Sequence, residues 1–203
     1  KLKYADKIRV VVKQQKEILE ELNPQASSKI EVITIGTNTE IYKPLDKNKA
    51  RSSVNHYLKQ NNHHFTIDKD DYLIVFLGAL NYGPRAQGVI DLIESLSQIK
   101  NKTIKFLIVG PGTKLEDVKQ KYKELEMEST IRSIGEVDYF LSNQFINSAD
   151  LCFLPQLTTD KKQEGLSLKL LIYMAAGKRI LASKVPGIEE KVLKFDGLVW
   201  DGS

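Results

Sequence analysis

From Asp71 onward the chain alternates short apolar runs with stretches of helical periodicity. YLIVFL (72–77) is a continuous apolar run of strand length, and the GALNYGP after it is rich in turn-forming residues. Val89, Leu92, Ile93 and Leu96 then recur at i, i+3, i+4 and i+7, the spacing of one helix face. IKFLIV (104–109), a Gly-Pro-Gly turn and a second helical stripe of Leu115, Val118, Tyr122 and Leu125 repeat the unit. TIRSI (130–134), a helix-like DYFLSNQFI with its aromatics expected in the core, and DLCFLP (150–155) follow. The helix LSLKLLIYMAAG, beginning near Leu166 and stopped by Gly177, leads into the strand RILAS (179–183). Repeated strand–helix alternation predicts an α/β fold: an open parallel sheet with helices on both faces, joined by right-handed crossovers.

The first third reads differently. DKIRVVV and KIEVITI are strand candidates on either side of the helical KQQKEILEEL, and a polar stretch with Gly and Pro, IGTNTEIYKPLDKNK, follows as a linker. A helix carrying Val54, Tyr57 and Leu58 then leads through the polar NNHHFTIDKDD into the main sheet. The chain divides near residue 45. Residues 1–45 hold too few apolar side chains to bury a core of their own and read as the tail of a preceding domain plus a linker; residues 46–203 form the principal domain.

Composition narrows the chemistry. The 203 residues include 41% hydrophobic and 28% charged side chains, ordinary globular usage, which excludes a disordered or collagen-like chain. No apolar run approaches the ~20 residues that span a bilayer, and the first residues lack the pattern of a signal peptide. The net charge of +4 is small, and lysines are interleaved with acids as in KLEDVKQKYKELEME, so no nucleic-acid partner is expected. Lys1, Lys3, Lys7, Arg9, Lys13 and Lys16 outnumber Asp6 at the start, which leaves a solvated edge or a peripheral contact with an anionic membrane. The single cysteine, Cys152, lies in an apolar run and reads as an inert buried thiol in a reducing, cytoplasmic setting. His56 and the pair His63-His64 lie away from strand ends without Cys or carboxylate partners at ligand spacing, so no metal is expected.

In open parallel sheets ligands bind beyond the carboxyl ends of the strands. The residues at those positions are Gly78-Ala79-Leu80-Asn81, Gly110-Pro111-Gly112, Gly135-Glu136-Val137 and Pro155-Gln156. Three of the four begin with glycine, which permits positive φ and close approach of backbone to a ligand, although turns after strands favour glycine in any case. Glu164 and Gly165 precede the LSLKLL helix, so that helix would point its N-terminus, a place suited to phosphate, into the same cleft. Glu164 itself suits hydroxyl groups; its alternative is a plain charge at a helix start.

The order and spacing of these segments resemble the donor-binding half of a GT-B glycosyltransferase of the family 4 type, a Rossmann-like domain. The likeness runs through KIEVITIGTNTEIYKP, FLGALNYGPRAQGVIDLIESL, FLIVGPGTKLEDV, IRSIGEVDYFLSNQFINSADLCFLPQ and EGLSLKLLIYMAAGKRILAS. It implies retaining transfer of a sugar from a UDP- or GDP-sugar to a glycan, lipid or protein acceptor, with no metal and no cofactor besides the donor. Glu164, the catalytic candidate, would bind donor-sugar hydroxyls; the amides of Gly165, Leu166 and Ser167 would hold the sugar and diphosphate. Gly135-Glu136-Val137 would read the base, and Gly78 with its loop would approach the diphosphate, with Asn81, Gly110 and Gly112 nearby. An acceptor-binding N-terminal domain would be a partner, and this chain alone would bind donor without transferring sugar.

The sequence also departs from the family pattern. The second Glu of the Glu-x₇-Glu signature, which binds ribose, is replaced by Ile172. The two cations of the first donor loop align with Ala79 and Gln87. Arg85 lies between them, as a substitute or as a surface arginine; Lys169, one turn into the helix, either assists the phosphate or is solvated. A degenerate, non-catalytic module acting in protein interaction and a nucleotide-sugar epimerase are the rival functions.

Overall fold

The computed structural model describes residues 4–99, 101, 103–155, 167–184, 188–195 and 197–200. Two strands, β1 (Ile8–Val10) and β2 (Ile30–Val32), pair in parallel around helix α1 (Lys13–Leu22) and a 3₁₀ helix over Pro24–Lys29. Their core is small: Val10, Ala26 and Ile30, flanked by Ile8 and Leu19. No residue of α1 is buried.

Helix α2 (Lys47–Gln60) opens the larger unit, capped by Asp46, whose carboxylate accepts from the Lys49 N–H at 2.8 Å. Then come β3 (Tyr72–Leu77), α3 (Gly83–Ser97), β4 (Ile104–Val109), α4 (Leu115–Glu124), β5 (Ile131–Gly135), α5 (Ser142–Ser148), β6 (Leu151–Leu154), α6 (Leu168–Ala175), β7 (Arg179–Ser183), α7 (Glu189–Lys194) and β8 (Leu198–Trp200). The six strands β3–β8 form one parallel sheet in the order β5-β4-β3-β6-β7-β8.

The apolar runs are continuous because both faces are covered. Leu73, Val75, Leu107, Val109, Cys152 and Leu154 face α2, α5 and α6 through Val54, Leu58, Phe145 and Leu170. Their alternating neighbours Ile74, Phe76, Phe106, Ile108 and Phe153 face α3 and α4 through Val89, Ile93, Val118 and Tyr122. Cys152 is fully buried, and burial pushes its thiol up to about 12, so it stays a protonated core residue.

Three local expectations are corrected. Helix α6 starts at Leu168 rather than Leu166, because Ser167 is extended at φ −76°, ψ 125°. Its end is as expected: Gly177 takes φ +66°, and the N–H groups of Gly177 and Lys178 bond the carbonyls of Met174 and Tyr173. Of the aromatics in DYFLSNQFI only Phe145 is core; Tyr139 is 53% and Phe140 71% exposed, since they lie in the turn before α5. Leu125 caps α4 and is 36% exposed. The linker is anchored: Tyr42 is buried in the main core, its hydroxyl 3.1 Å from Ser142 Oγ, and Leu45 N–H donates to Asn147.

Candidate functional site

The strand order reverses between β3 and β6, so the crevice of an open sheet opens beyond their carboxyl ends. Pairing between these strands is observed at Ile74↔Leu151 and Val75↔Cys152, whereas β3 and β4 stay in register to Leu77↔Val109. Where β3 and β6 part, the Leu77 N–H donates to the hydroxyl of Tyr173 at 3.0 Å. That hydroxyl lies 3.5 Å from the carbonyls of both Leu77 and Phe153, so α6 is pinned across the opening. Tyr173 is fully buried, and burial keeps its hydroxyl protonated well above the usual range. Nothing in the helical periodicity distinguishes it from a core tyrosine.

The glycines at the strand tips all have positive φ: Gly78 at 151°, Gly110 at 134°, Gly112 at 159° and Gly135 at 74°. Their causes differ. A Cβ on Gly110 would overlap the carbonyl oxygen of Gly78, and one on Gly112 would overlap the backbone of Leu80. These two glycines serve the packing of one loop against the next. Leu80 N–H donates to Pro111 O at 2.8 Å, Lys114 N–H to Leu80 O at 3.0 Å, and Thr113 N–H to the Asn81 side chain at 3.0 Å. Asn81 is thus a clasp between the β3 and β4 loops. Gly135 differs: a Cβ there meets nothing within 4 Å, and its carbonyl accepts from Gly110 N–H at 2.7 Å. Glu136 is exposed and Val137 packs half-buried against the core.

Two cations reach this crevice. Arg85, in the first turn of α3, donates from Nη1 to Ala79 O at 3.1 Å. Lys169, in the first turn of α6, lies over Gly78 and is largely buried. Burial, with the charge of Arg85 beside it, holds its ammonium down to about 8. Among the described residues no carboxylate pairs with it and no hydrogen-bond acceptor meets it. Gln87 is exposed and bonds Asp91 at 2.7 Å, away from the crevice. Ile172 is 7% exposed in the apolar core, and Ser167 is the half-buried N-cap of α6. Glu164, Gly165 and Leu166 lie outside the described residues. Gly78, Gly110, Gly112, Asn81, Arg85 and Lys169 are therefore brought together, Gly135 stands next to them on β5, and Ile172 belongs to the core.

The histidines lie elsewhere. His63 stacks on Tyr57 at 6.4 Å, and His64 sits in the following turn with φ +40°. Among the described residues no group of three or more His, Cys, Asp and Glu side chains is placed to hold a metal ion. None of the helices of the described residues is long and apolar enough to cross a membrane. At the start of the chain, Lys7 pairs with Glu31, Lys13 with Glu17 and Lys16 with Glu20, while Arg9 donates to the carbonyls of Ile33 and Thr34.

A six-stranded parallel sheet with helices on both faces and a crevice at its switch point defines a Rossmann-like α/β domain. The chain belongs to the family of glycosyl transferases group 1, whose model matches residues 71–201. Solved structures share the fold. Anabaena HepE, crystallised in complex with UDP and glucose, superposes with a TM-score of 0.69 at 16% identity over 93% of this chain and 47% of its own. Sucrose-phosphate synthase from Thermosynechococcus elongatus gives a TM-score of 0.73 at 21% identity over 98% and 46%. WaaG, a glycosyltransferase involved in lipopolysaccharide biosynthesis, gives 0.70 at 16% identity over 95% and 48%. The chain thus spans about half the length of these proteins, and the fold is the GT-B half expected from the sequence. No curated protein sequence matches the chain.

Proposed function

We propose that residues 46–203 are the donor-binding domain of a glycosyltransferase, and that the crevice beyond β3 and β6 holds the diphosphate of a UDP- or GDP-sugar for retaining transfer. The observation that carries this reading is the convergence of Lys169 and Arg85, without a carboxylate partner among the described residues, at glycine-rich strand tips. A pyrophosphate leaving group needs fixed positive charge more than it needs covalent chemistry. Gly135, with open space around its α-carbon, is the tip best suited to admit a base. Glu164 is retained as the residue for donor-sugar hydroxyls. The complex of HepE with UDP supports a nucleotide ligand for a domain of this shape.

Residues 1–45 are read as part of the acceptor-side domain and its linker. Leu22 is 76%, Ile33 48% and Val32 42% exposed, an apolar surface that a neighbouring domain would cover. The acceptor, the other domain as partner and a cytoplasmic site of action belong to the same proposal.

Titration calorimetry of the chain with UDP and GDP tests it, with amide NMR shifts followed at Gly78 and Gly135. Saturable heat with shifts at both glycines is the expected result; no heat and no shifts at millimolar nucleotide overturn it. The buried Ile172, which cannot accept a hydrogen bond from ribose, favours a second reading, a non-catalytic module, and that negative result would select it. Product analysis with labelled donor and the complete two-domain protein separates transfer to an acceptor from release of an epimerised sugar.

A further inference from the structure

Lys169 leaves α6 beyond the β6 side of the switch, yet its side chain ends over the tip of β3. It reaches there because position 78 has no side chain. A Cβ built on Gly78 would overlap Lys169 Cε and stand 2.8 Å from Nζ and 3.2 Å from Cδ. All three nearest atoms belong to the lysine, so the volume that any residue at 78 would fill is the volume Lys169 uses. The tip has little room to retreat, since Gly78 N–H is bonded to Val109 O at 2.8 Å and its carbonyl occupies the space beside Gly110. The β3 loop meanwhile offers no cation at Ala79, and at Gln87 only an amide turned toward Asp91. Arg85 is tied back to the Ala79 carbonyl.

On the reading of the crevice as a diphosphate cradle, on which this step rests, we propose that Gly78 is a positioning residue for Lys169: the missing Cβ leaves a track across the β3 tip, and the pair acts as one unit that delivers from α6 the positive charge the β3 loop lacks. Gly78 then serves the chain's own lysine rather than direct approach of the ligand backbone-on. The ammonium waits without an acceptor among the described residues, and a diphosphate oxygen supplies one.

The test combines ligand binding with a double-mutant cycle on the 203-residue chain, using UDP and inorganic pyrophosphate as probes. Lys169→Met keeps length and apolar packing while removing the charge; it is expected to fold at least as stably as the wild type and to bind both probes about tenfold or more weakly. Gly78→Ala is expected to weaken both probes by a similar factor. In the Lys169→Ala background the same Gly78→Ala change is expected to leave the affinity for both probes nearly unchanged, because the strain of its positive φ is common to both backgrounds and only the displacement of the ammonium is lost. Wild-type binding of UDP that Lys169→Met leaves untouched overturns the role of Lys169 while the donor reading stands. Equal losses of affinity on Gly78→Ala in the two backgrounds overturn the positioning role. Failure of the wild type to bind either probe overturns the donor reading, and this inference with it.

Discussion

The switch strands β3 and β6 carry a cation at each of their ends, and the two are treated in opposite ways. At the amino ends, Arg51 of α2 is 4% exposed and every donor is used. Nε donates to Ser148 O at 3.1 Å, Nη1 to Asp68 O and Lys69 O at 3.1 and 2.9 Å, and Nη2 to Asp71 O and Asp150 Oδ2 at 2.9 and 2.6 Å. Asp150 in turn accepts from Leu73 N–H at 2.7 Å and from Lys47 at 2.8 Å. At the carboxyl ends, Lys169 is largely buried beside another cation and has no acceptor among the described residues. Desolvating a charge is costly unless it is paired and hydrogen-bonded. Arg51 therefore belongs to the architecture, and Lys169 is retained at a cost that a bound anion would offset.

The largest effect that would sharpen this contrast is on stability. Arg51→Met strips Asp150 of its buried partner and leaves four carbonyls short of a donor, so unfolding free energy should fall by about 3–5 kcal/mol, the range for breaking a buried pair from one side. Affinity for UDP, measured below the new melting temperature, should stay near the wild-type value. Loss of nucleotide binding with little loss of stability would reverse the roles assigned to the two ends.

Next in size is Tyr173→Phe. The hydroxyl is the only acceptor seen for Leu77 N–H among the described residues, at the point where β3 and β6 part. Removing it leaves a buried donor unpaired, which costs about 1–3 kcal/mol. Because α6 also carries Lys169, weakened UDP binding should accompany the loss, and hydrogen exchange at Leu77 should accelerate. Unchanged exchange there would mean that the hydroxyl does not hold the helix across the crevice.

The two ends also differ in how much of them is written locally in the chain. YLIVFL, IKFLIV and RILAS match β3, β4 and β7 residue for residue, because the middle of a strand covered on both faces reads as an apolar run. The glycines beyond the strands could be picked out for the same local reason, their position after an apolar run. What no local pattern carries is which of them faces a ligand. Gly110 and Gly112 turn out to accommodate neighbouring backbone, Gly78 accommodates Lys169, and only Gly135 stands open. Arg51 could not be singled out at all, since its partners Ser148 and Asp150 lie nearly a hundred residues further on and meet it only once the sheet has assembled. Tyr139 and Phe140 misled for the converse reason: apolar type predicts burial only where the backbone turns the side chain inward, and here the chain is still in the turn before α5.

The smallest effect is the share of the pH dependence that Lys169 contributes. In the unfolded chain its ammonium holds its proton up to the ordinary lysine value of 10.5, whereas in the folded protein it releases it near 8. Below about pH 8 both states are protonated and the penalty for burying the charge is fully present. Between about 8 and 10.5 the unfolded chain binds more protons, so raising the pH favours folding and the penalty fades. Between pH 7 and 9 the wild type should therefore gain about 1 kcal/mol relative to Lys169→Met, roughly the worth of one pKa unit. Urea melts of the two proteins at both pH values, compared as differences, cancel the other titrations. A bound diphosphate gives the ammonium an acceptor and raises its pKa, so saturating pyrophosphate should flatten that difference and affinity should fall as the pH passes 8. Arg51, always charged and fully paired, contributes no such slope, and a wild type that tracks Lys169→Met across this window would place the lysine in water rather than in the crevice.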